Sequence, residues 1–163
     1  MSVESVKTAL AEKGIDPARV LEFEVSSATV ALAARAVGCE EARIAKSLTF
    51  RIPGEPDRIL LILTAGDVKI DNPKYKARFG TKARMLGREE VADCVGHEAG
   101  GVCPFVVREG VEVYLDDSLR RFSSVFPAAG SANSAIELTI PELERVSAAL
   151  GWVDVCKPAE NSI

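Results

Sequence analysis

Two neighbouring stretches set the hydrophobic pattern of the chain. In IAKSLTFRI, residues 44–52, an extended backbone puts Ile44, Lys46, Leu48 and Phe50 on one face and Ala45, Ser47 and Thr49 on the other. ILLILTA, residues 59–65, is apolar at nearly every position, as expected of a strand covered on both faces. The intervening PGEPD is made of turn formers, so the two runs read as a β-hairpin.

Helical spacing appears elsewhere. Glu4 to Lys13 places Val6 and Leu10 on one side and is stopped by Gly14. After Pro17, Val20 to Val25 reads as a strand. Ser26 or Ser27 caps a second helix that runs to Val37 and ends at Gly38. Asn72-Pro73 supplies an N-cap and a first-turn proline for a short basic helix closed by Gly80. Ala83 to Leu86 reads as a short strand, and Arg88 to Val95 as a helix ended by Gly96. Val111 to Leu115 alternates as a strand, and Asp116 to Phe122 makes a helical turn or two. Ser124 to Ala128 and Ala135 to Leu138 then flank the small-residue loop AGSANS. Thr139 and Glu142 form a capping box for a helix to Leu150, and Trp152 to Val155 makes a last strand. Strands and helices interleave without a regular βαβ repeat. The expectation is one mixed α/β (α+β) domain over residues 1–156, with residues 157–163 as a mobile tail.

Composition narrows the class. With 163 residues, 47% hydrophobic and 27% charged, the chain can bury a core without disulfides or metal. No apolar run approaches the ~20 residues that cross a bilayer, so no membrane partner is expected. MSVESVKTALAEKG lacks the basic and apolar regions of a signal peptide, which points to the cytoplasm. The four cysteines lie far apart, no pair has C-x-x-C spacing, and reduced thiols are expected. The net charge of −4 argues against a general nucleic-acid binder, and no DNA partner is expected. The charge is uneven, however. Lys69, Lys74, Lys76, Arg78, Lys82, Arg84 and Arg88 face only Asp71 within residues 69–88, a local +6 suited to phosphates or simply a solvated face.

Three places can carry chemistry. Lys46 shares its face with bulky apolar neighbours. Its ammonium must snorkel, find an anion or sit in a cleft, where it would bind an oxygen or carry a proton. GHEAGGVCPF, residues 96–105, holds the single histidine, and four readings fit it. His97 and Cys103 can form a thiol–imidazole pair. His97, Glu98 and Cys103 can ligate a metal, although the spacing matches no standard site. The glycines can aim backbone N–H groups at one oxyanion. The fourth reading is a tight turn into a strand. AGSANSAIEL, residues 129–138, offers Ser131, Asn133 and Ser134 beside open space, or else a polar turn. The absence of G-x-S-x-G, Walker, dinucleotide and H-E-x-x-H motifs removes the common hydrolase, kinase and oxidoreductase classes.

IAKSLTF, GHEAGGVCPF and GSANSAIEL occur in the order seen in one family. Together they resemble YbaK, the bacterial editing domains associated with prolyl-tRNA synthetase, over about Val20 to Trp152. Lys46 and the G-x-x-x-P element from Gly100 to Pro104 are the specific features. The resemblance implies a curved mixed sheet of about six or seven strands with helices around it. It also implies a cytoplasmic deacylase that hydrolyses the ester of a mischarged aminoacyl-tRNA without metal or cofactor, with a synthetase such as prolyl-tRNA synthetase as a further partner. Lys46, Gly100 and Gly101 become the catalytic set. His97, Cys103 and Pro104, with Gly130, Ser131 and Asn133, become the substrate-binding set, and Lys69, Lys74, Lys76, Arg78, Lys82 and Arg84 contact the tRNA. Relatives that deacylate cysteinyl-tRNA have an aspartate just before the I-E-L element. Ala135 stands there in this chain, leaving Asn133 or Ser131 to read the amino acid. Two rivals remain: a thiol hydrolase built on Cys103 and His97, and a non-catalytic module that binds tRNA or a synthetase.

Overall fold

A computed structural model describes residues 1–159. Its elements in chain order are α1 (Val3–Glu12), β1 (Leu21–Glu22), α2 (Val30–Val37), β2 (Ile44–Ile52), β3 (Glu55–Ala65), β4 (Val68–Ile70), α3 (Asn72–Phe79), α4 (Arg88–Val95), β5 (Glu112–Asp116), β6 (Ser124–Pro127), β7 (Ser134–Ala135), β8 (Leu138–Thr139), α5 (Ile140–Val146), β9 (Ala149–Val153) and β10 (Cys156–Pro158). Short 3-10 turns occupy Pro17–Arg19, Glu41–Arg43 and Asp117–Arg121.

Six strands form one mixed sheet in the order β8-β6-β2-β3-β5-β9, matching the expected curved sheet with helices around it. The hairpin of β2 and β3 is its antiparallel centre, in register from Ala45↔Ala65 to Arg51↔Ile59. β5 joins β3 in parallel and β9 joins β5 in parallel. On the other side β6 runs parallel to β2, but only Ile44↔Phe126 and Ala45↔Pro127 pair. Two small antiparallel pairs, β1 with β7 and β4 with β10, stand outside the sheet. Leu60, Leu61, Ile62 and Leu63 of β3 are fully buried, each contributing about 1.5–3 kcal/mol of burial free energy. Phe50, Tyr75, Phe79 and Tyr114 stack successively at 4.9–5.4 Å between centroids and fasten α3 to the sheet.

Several local expectations give way to tertiary partners. α2 is capped by Thr29, whose Oγ1 accepts from the Leu32 N–H, because Ser27 is held by the 131–134 loop. Asp71, not Asn72, caps α3 through the Lys74 N–H. The Ala83–Leu86 strand contracts to a single bridge between Met85 and Phe50. The first short strand keeps only Leu21 and Glu22, which pair with Ala135 and Ser134. α5 stops at Val146, well before Leu150, because β5 recruits Ala149–Val153 as an edge strand. Lys157 and Pro158, expected in the tail, pair with Lys69 and Val68; residues 160–163 of that expected tail lie outside the described residues. No helix among the described residues is long and apolar enough to cross a membrane.

Candidate active site

A cleft of about 140 Å3 opens where β6 parts from β2. β2 contributes Ile44, Ala45, Lys46 and Ser47 to its wall. Ser27, Ala28 and Thr29 come from the segment before α2, with Val30 and Ala33 from the helix itself. Gly100 and Val102 come from the glycine loop, and Phe126, Ala128, Ser134 and Ala135 from β6 to β7. Lys46 is the only ionisable residue in this wall among the described residues.

Lys46 is half-buried, and its ammonium donates to the Val68 carbonyl oxygen across the turn between β3 and β4. Burial pushes its pKa below the usual lysine value, opposed by the field of Asp67. Asp67 is itself held by a two-pronged contact from Arg121, at 2.5 and 3.0 Å, which keeps its carboxyl below the ordinary range. Gly66 lets this turn lie against the cleft: a Cβ there would meet Glu41 O at 2.1 Å and Val30 Cγ1 at 2.8 Å. The lysine is thus braced at the edge of the cavity by a fixed turn.

The glycine loop meets the AGSANS loop backbone to backbone. A Cβ on Gly101 would come within 2.8–2.9 Å of Ser131 N, Cα and C. Gly100 adopts φ +92°, the left-handed region. Its N–H has no backbone partner among the described residues, whereas the Gly101 N–H donates to Glu98 O at 3.0 Å. Of the expected pair of amides, only that of Gly100 is left without a backbone partner, and Gly101 permits the close approach of the two loops. Ser27 N–H donates to Ala132 O at 2.7 Å and Phe23 N–H to Asn133 O at 2.8 Å, so three segments clamp together around the cleft.

The other expected side chains lie elsewhere. His97 is 1% and Cys103 0% exposed, and neither lines the cleft. His97 Nε2 contacts Val106 O, which assigns the proton to Nε2 and leaves Nδ1 buried without a partner among the described residues. Cys103 Sγ sits 3.7 Å from that protonated nitrogen, which cannot accept its proton. Burial raises the Cys103 pKa to about 12 and lowers that of His97. The pair is therefore a neutral core contact, unlike an activated nucleophile. His97, Glu98 and Cys103 belong to no metal-binding cluster among the described residues. Pro104 is buried and accepts from the Ala148 N–H through its carbonyl. Gly130, at φ +99°, abuts Ser2 O at the start of α1. Asn133 and Ser131 are spent on the loop: Asn133 Nδ2 donates to Phe23 O, and Ser131 Oγ to Asn133 Oδ1, both at 2.8 Å.

Of the basic residues, Lys74 is tied to Asp154 and Cys156 O, both at 3.0 Å. Lys69 lies in β4. Arg78 is exposed and stacks on Phe79 and Tyr114. Lys76, Lys82 and Arg84 are exposed, and Lys76 and Lys82 flank one groove with Asn72, Pro73 and Ala83. Among the wall residues that sequence reasoning missed are Ser27, Thr29, Ser47, Val102 and Phe126. For Ser47 a signal existed: it shares the small face of β2 with Ala45, where no bulk fills the space.

The fold is thus a mixed sheet with a lysine-edged cleft between a glycine loop and a small-residue loop. The profile of the aminoacyl-tRNA editing domain matches residues 24–146, and the chain belongs to that family. It is 54% identical to the uncharacterized protein YwhH of Bacillus subtilis (strain 168), over 98% of this chain and all of that one. It is 29% identical to a solved structure of a proposed trans-editing enzyme for prolyl-tRNA synthetase, with a TM-score of 0.81 and 95% and 96% of the two chains covered. The proline–tRNA ligase of Bacillus pumilus (strain SAFR-032) is 30% identical over 54% of this chain, which spans 15% of that enzyme.

Proposed function

We propose that the protein is a trans-acting deacylase that hydrolyses the ester of a mischarged aminoacyl-tRNA in the cytoplasm. The observation that carries this reading is the cleft itself: among the described residues its wall holds one cation, Lys46, beside the unengaged amide of Gly100, and is otherwise built of small polar and apolar groups. An ester needs orientation, a stabilised oxyanion and a water or ribose hydroxyl as nucleophile. Lys46 fixes the carbonyl or the terminal adenosine by its charge, and the Gly100 N–H supports the oxyanion. Neither step calls on a metal or an enzyme nucleophile. Ala28, Ala33, Ala45, Ala128 and Ala135, with Phe126, line a small cavity, which favours a small amino-acid side chain. The exposed Lys76, Arg78, Lys82 and Arg84 supply contacts for acceptor-stem phosphates. Prolyl-tRNA synthetase is the synthetase partner that the likeness to its trans-editing enzyme supports.

The direct test incubates the purified protein with a panel of aminoacyl-tRNAs and measures amino-acid release. Release from at least one of them, lost in Lys46→Ala with the fold intact, is expected. Release from none, at enzyme concentrations where spontaneous hydrolysis is outpaced, refutes the reading. Salt-sensitive tRNA binding without turnover would favour a binding module instead.

A further inference from the structure

The polar side chains in the cleft wall are Ser27, Thr29, Lys46, Ser47 and Ser134. Four of them are already engaged. Ser27 Oγ donates to Ala132 O at 3.3 Å, and Thr29 Oγ1 accepts from the Leu32 N–H at 3.2 Å. Lys46 donates to Val68 O, and Ser134 Oγ is bonded to Ser131 Oγ at 2.8 Å. Of these five wall side chains, only Ser47 has its polar atom, Oγ, buried without a hydrogen-bond partner among the described residues. A buried hydroxyl left unpaired is uncommon in a native fold and calls for a specific explanation. No hydrogen bond among the described residues holds its hydroxyl in place, so rotation about χ1 breaks none.

Among the described residues the cleft wall contains no carboxylate. An aminoacyl ester carries an α-amino group with a pKa near ~7.7–8 and is therefore largely protonated at neutral pH. With Lys46 supplying positive charge nearby, that group needs an uncharged oxygen to receive its hydrogen. Building on the deacylase reading, we propose that Ser47 is a specificity-determining residue whose hydroxyl accepts a hydrogen bond from the α-amino group of the bound aminoacyl ester. Ser47 thereby distinguishes an aminoacyl ester from a plain acyl ester.

The test pairs a change in the enzyme with a change in the substrate. An acceptor-stem minihelix carrying the amino acid that the tRNA panel shows to be released fastest is compared with its des-amino counterpart, as alanyl with propionyl. Ser47→Ala should lower kcat/KM for the aminoacyl ester by about tenfold or more, the usual effect of losing a hydrogen bond to a charged group. It should change the des-amino ester by less than about twofold, and Ser47→Thr should restore the difference. An active wild type in which Ser47→Ala slows both esters alike, or neither, overturns this inference and leaves the deacylase reading standing. Equal slowing would assign Ser47 to packing or to a structural water. A wild type inactive on every ester overturns both.

Discussion

Gly101 and Ser131 touch through their backbones: a Cβ on Gly101 would lie 2.8 Å from both the nitrogen and the Cα of Ser131. Neither atom is the free end of a side chain, so Gly101→Ala must push the two loops apart. Overpacking of this kind costs about 1–3 kcal/mol in stability. Displacing Gly100 by about 1 Å costs on the order of a hundredfold in rate. Thermal denaturation and deacylation kinetics on the same variant should show a modest loss of stability beside a large loss of kcat/KM.

Lys46→Ala should remove catalysis of deacylation, with the circular dichroism spectrum retained. Because burial lowers the lysine's pKa, its cation is lost at a pH below the ordinary value of 10.5. A role as a cation therefore predicts that rate enhancement over spontaneous hydrolysis falls on the alkaline side, beginning below that value. Lys46→Arg, which stays charged, should move this limb upward wherever the larger head still fits. A profile that rises through the same range would assign Lys46 to proton abstraction.

Cys103→Ser or Cys103→Ala should leave kcat/KM within about threefold, whereas loss of a true nucleophile costs several orders of magnitude. With its pKa raised to about 12 and no exposure, the thiol should resist alkylation in the native protein. Mass spectrometry after brief alkylation should find label first on the partly exposed Cys39 and Cys94.

The basic segment divides into engaged and available charges. Replacing Lys76 and Lys82 by alanine should weaken tRNA binding and flatten the log–log salt dependence by about one unit per lost phosphate contact. Lys74→Ala should change that slope less, because Asp154 already holds its ammonium. Filter binding across a salt series separates the two cases.

Arg19 and Glu142 form a two-pronged pair at 2.8 and 3.0 Å. Arg19, with the Thr139 N–H, depresses the Glu142 pKa from 4.5 to about 2. The unfolded chain thus binds the proton first on acidification. The stabilisation is complete above about pH 5, fades through 4.5 and is gone below about 2. Glu142→Gln should be less stable near neutrality and should lose less on acidification over that window, as read by urea unfolding at several pH values.

The strong periodic signals were legible: the β2–β3 hairpin and α4 fall where alternation and helical spacing place them. α5 was overextended because Ala148, Ala149 and Leu150 are good helix formers in isolation. The open edge of β5 outweighs that preference. The lysine and the two small-residue loops were legible as candidates, since an out-of-place charge and clustered glycines are local features. Burial of His97 was not, because it depends on packing against distant segments. The engagement of the Gly101 N–H depends on how the loop turns. Ser47 was hidden by the alternation that exposed Lys46, which put the serine on the face then given no task.

The clamp around the cleft is made largely of main-chain contacts, from Ser27 to Ala132, Phe23 to Asn133 and Gly101 to Ser131. The side chains that shape the cavity, Ala28, Ala128 and Ala135 among them, contribute little to those contacts. Scaffold and selectivity are therefore separable in inheritance. Substitutions at the alanines can resize the chamber while the frame persists, so related chains can diverge in the amino acid they accept before they diverge in shape.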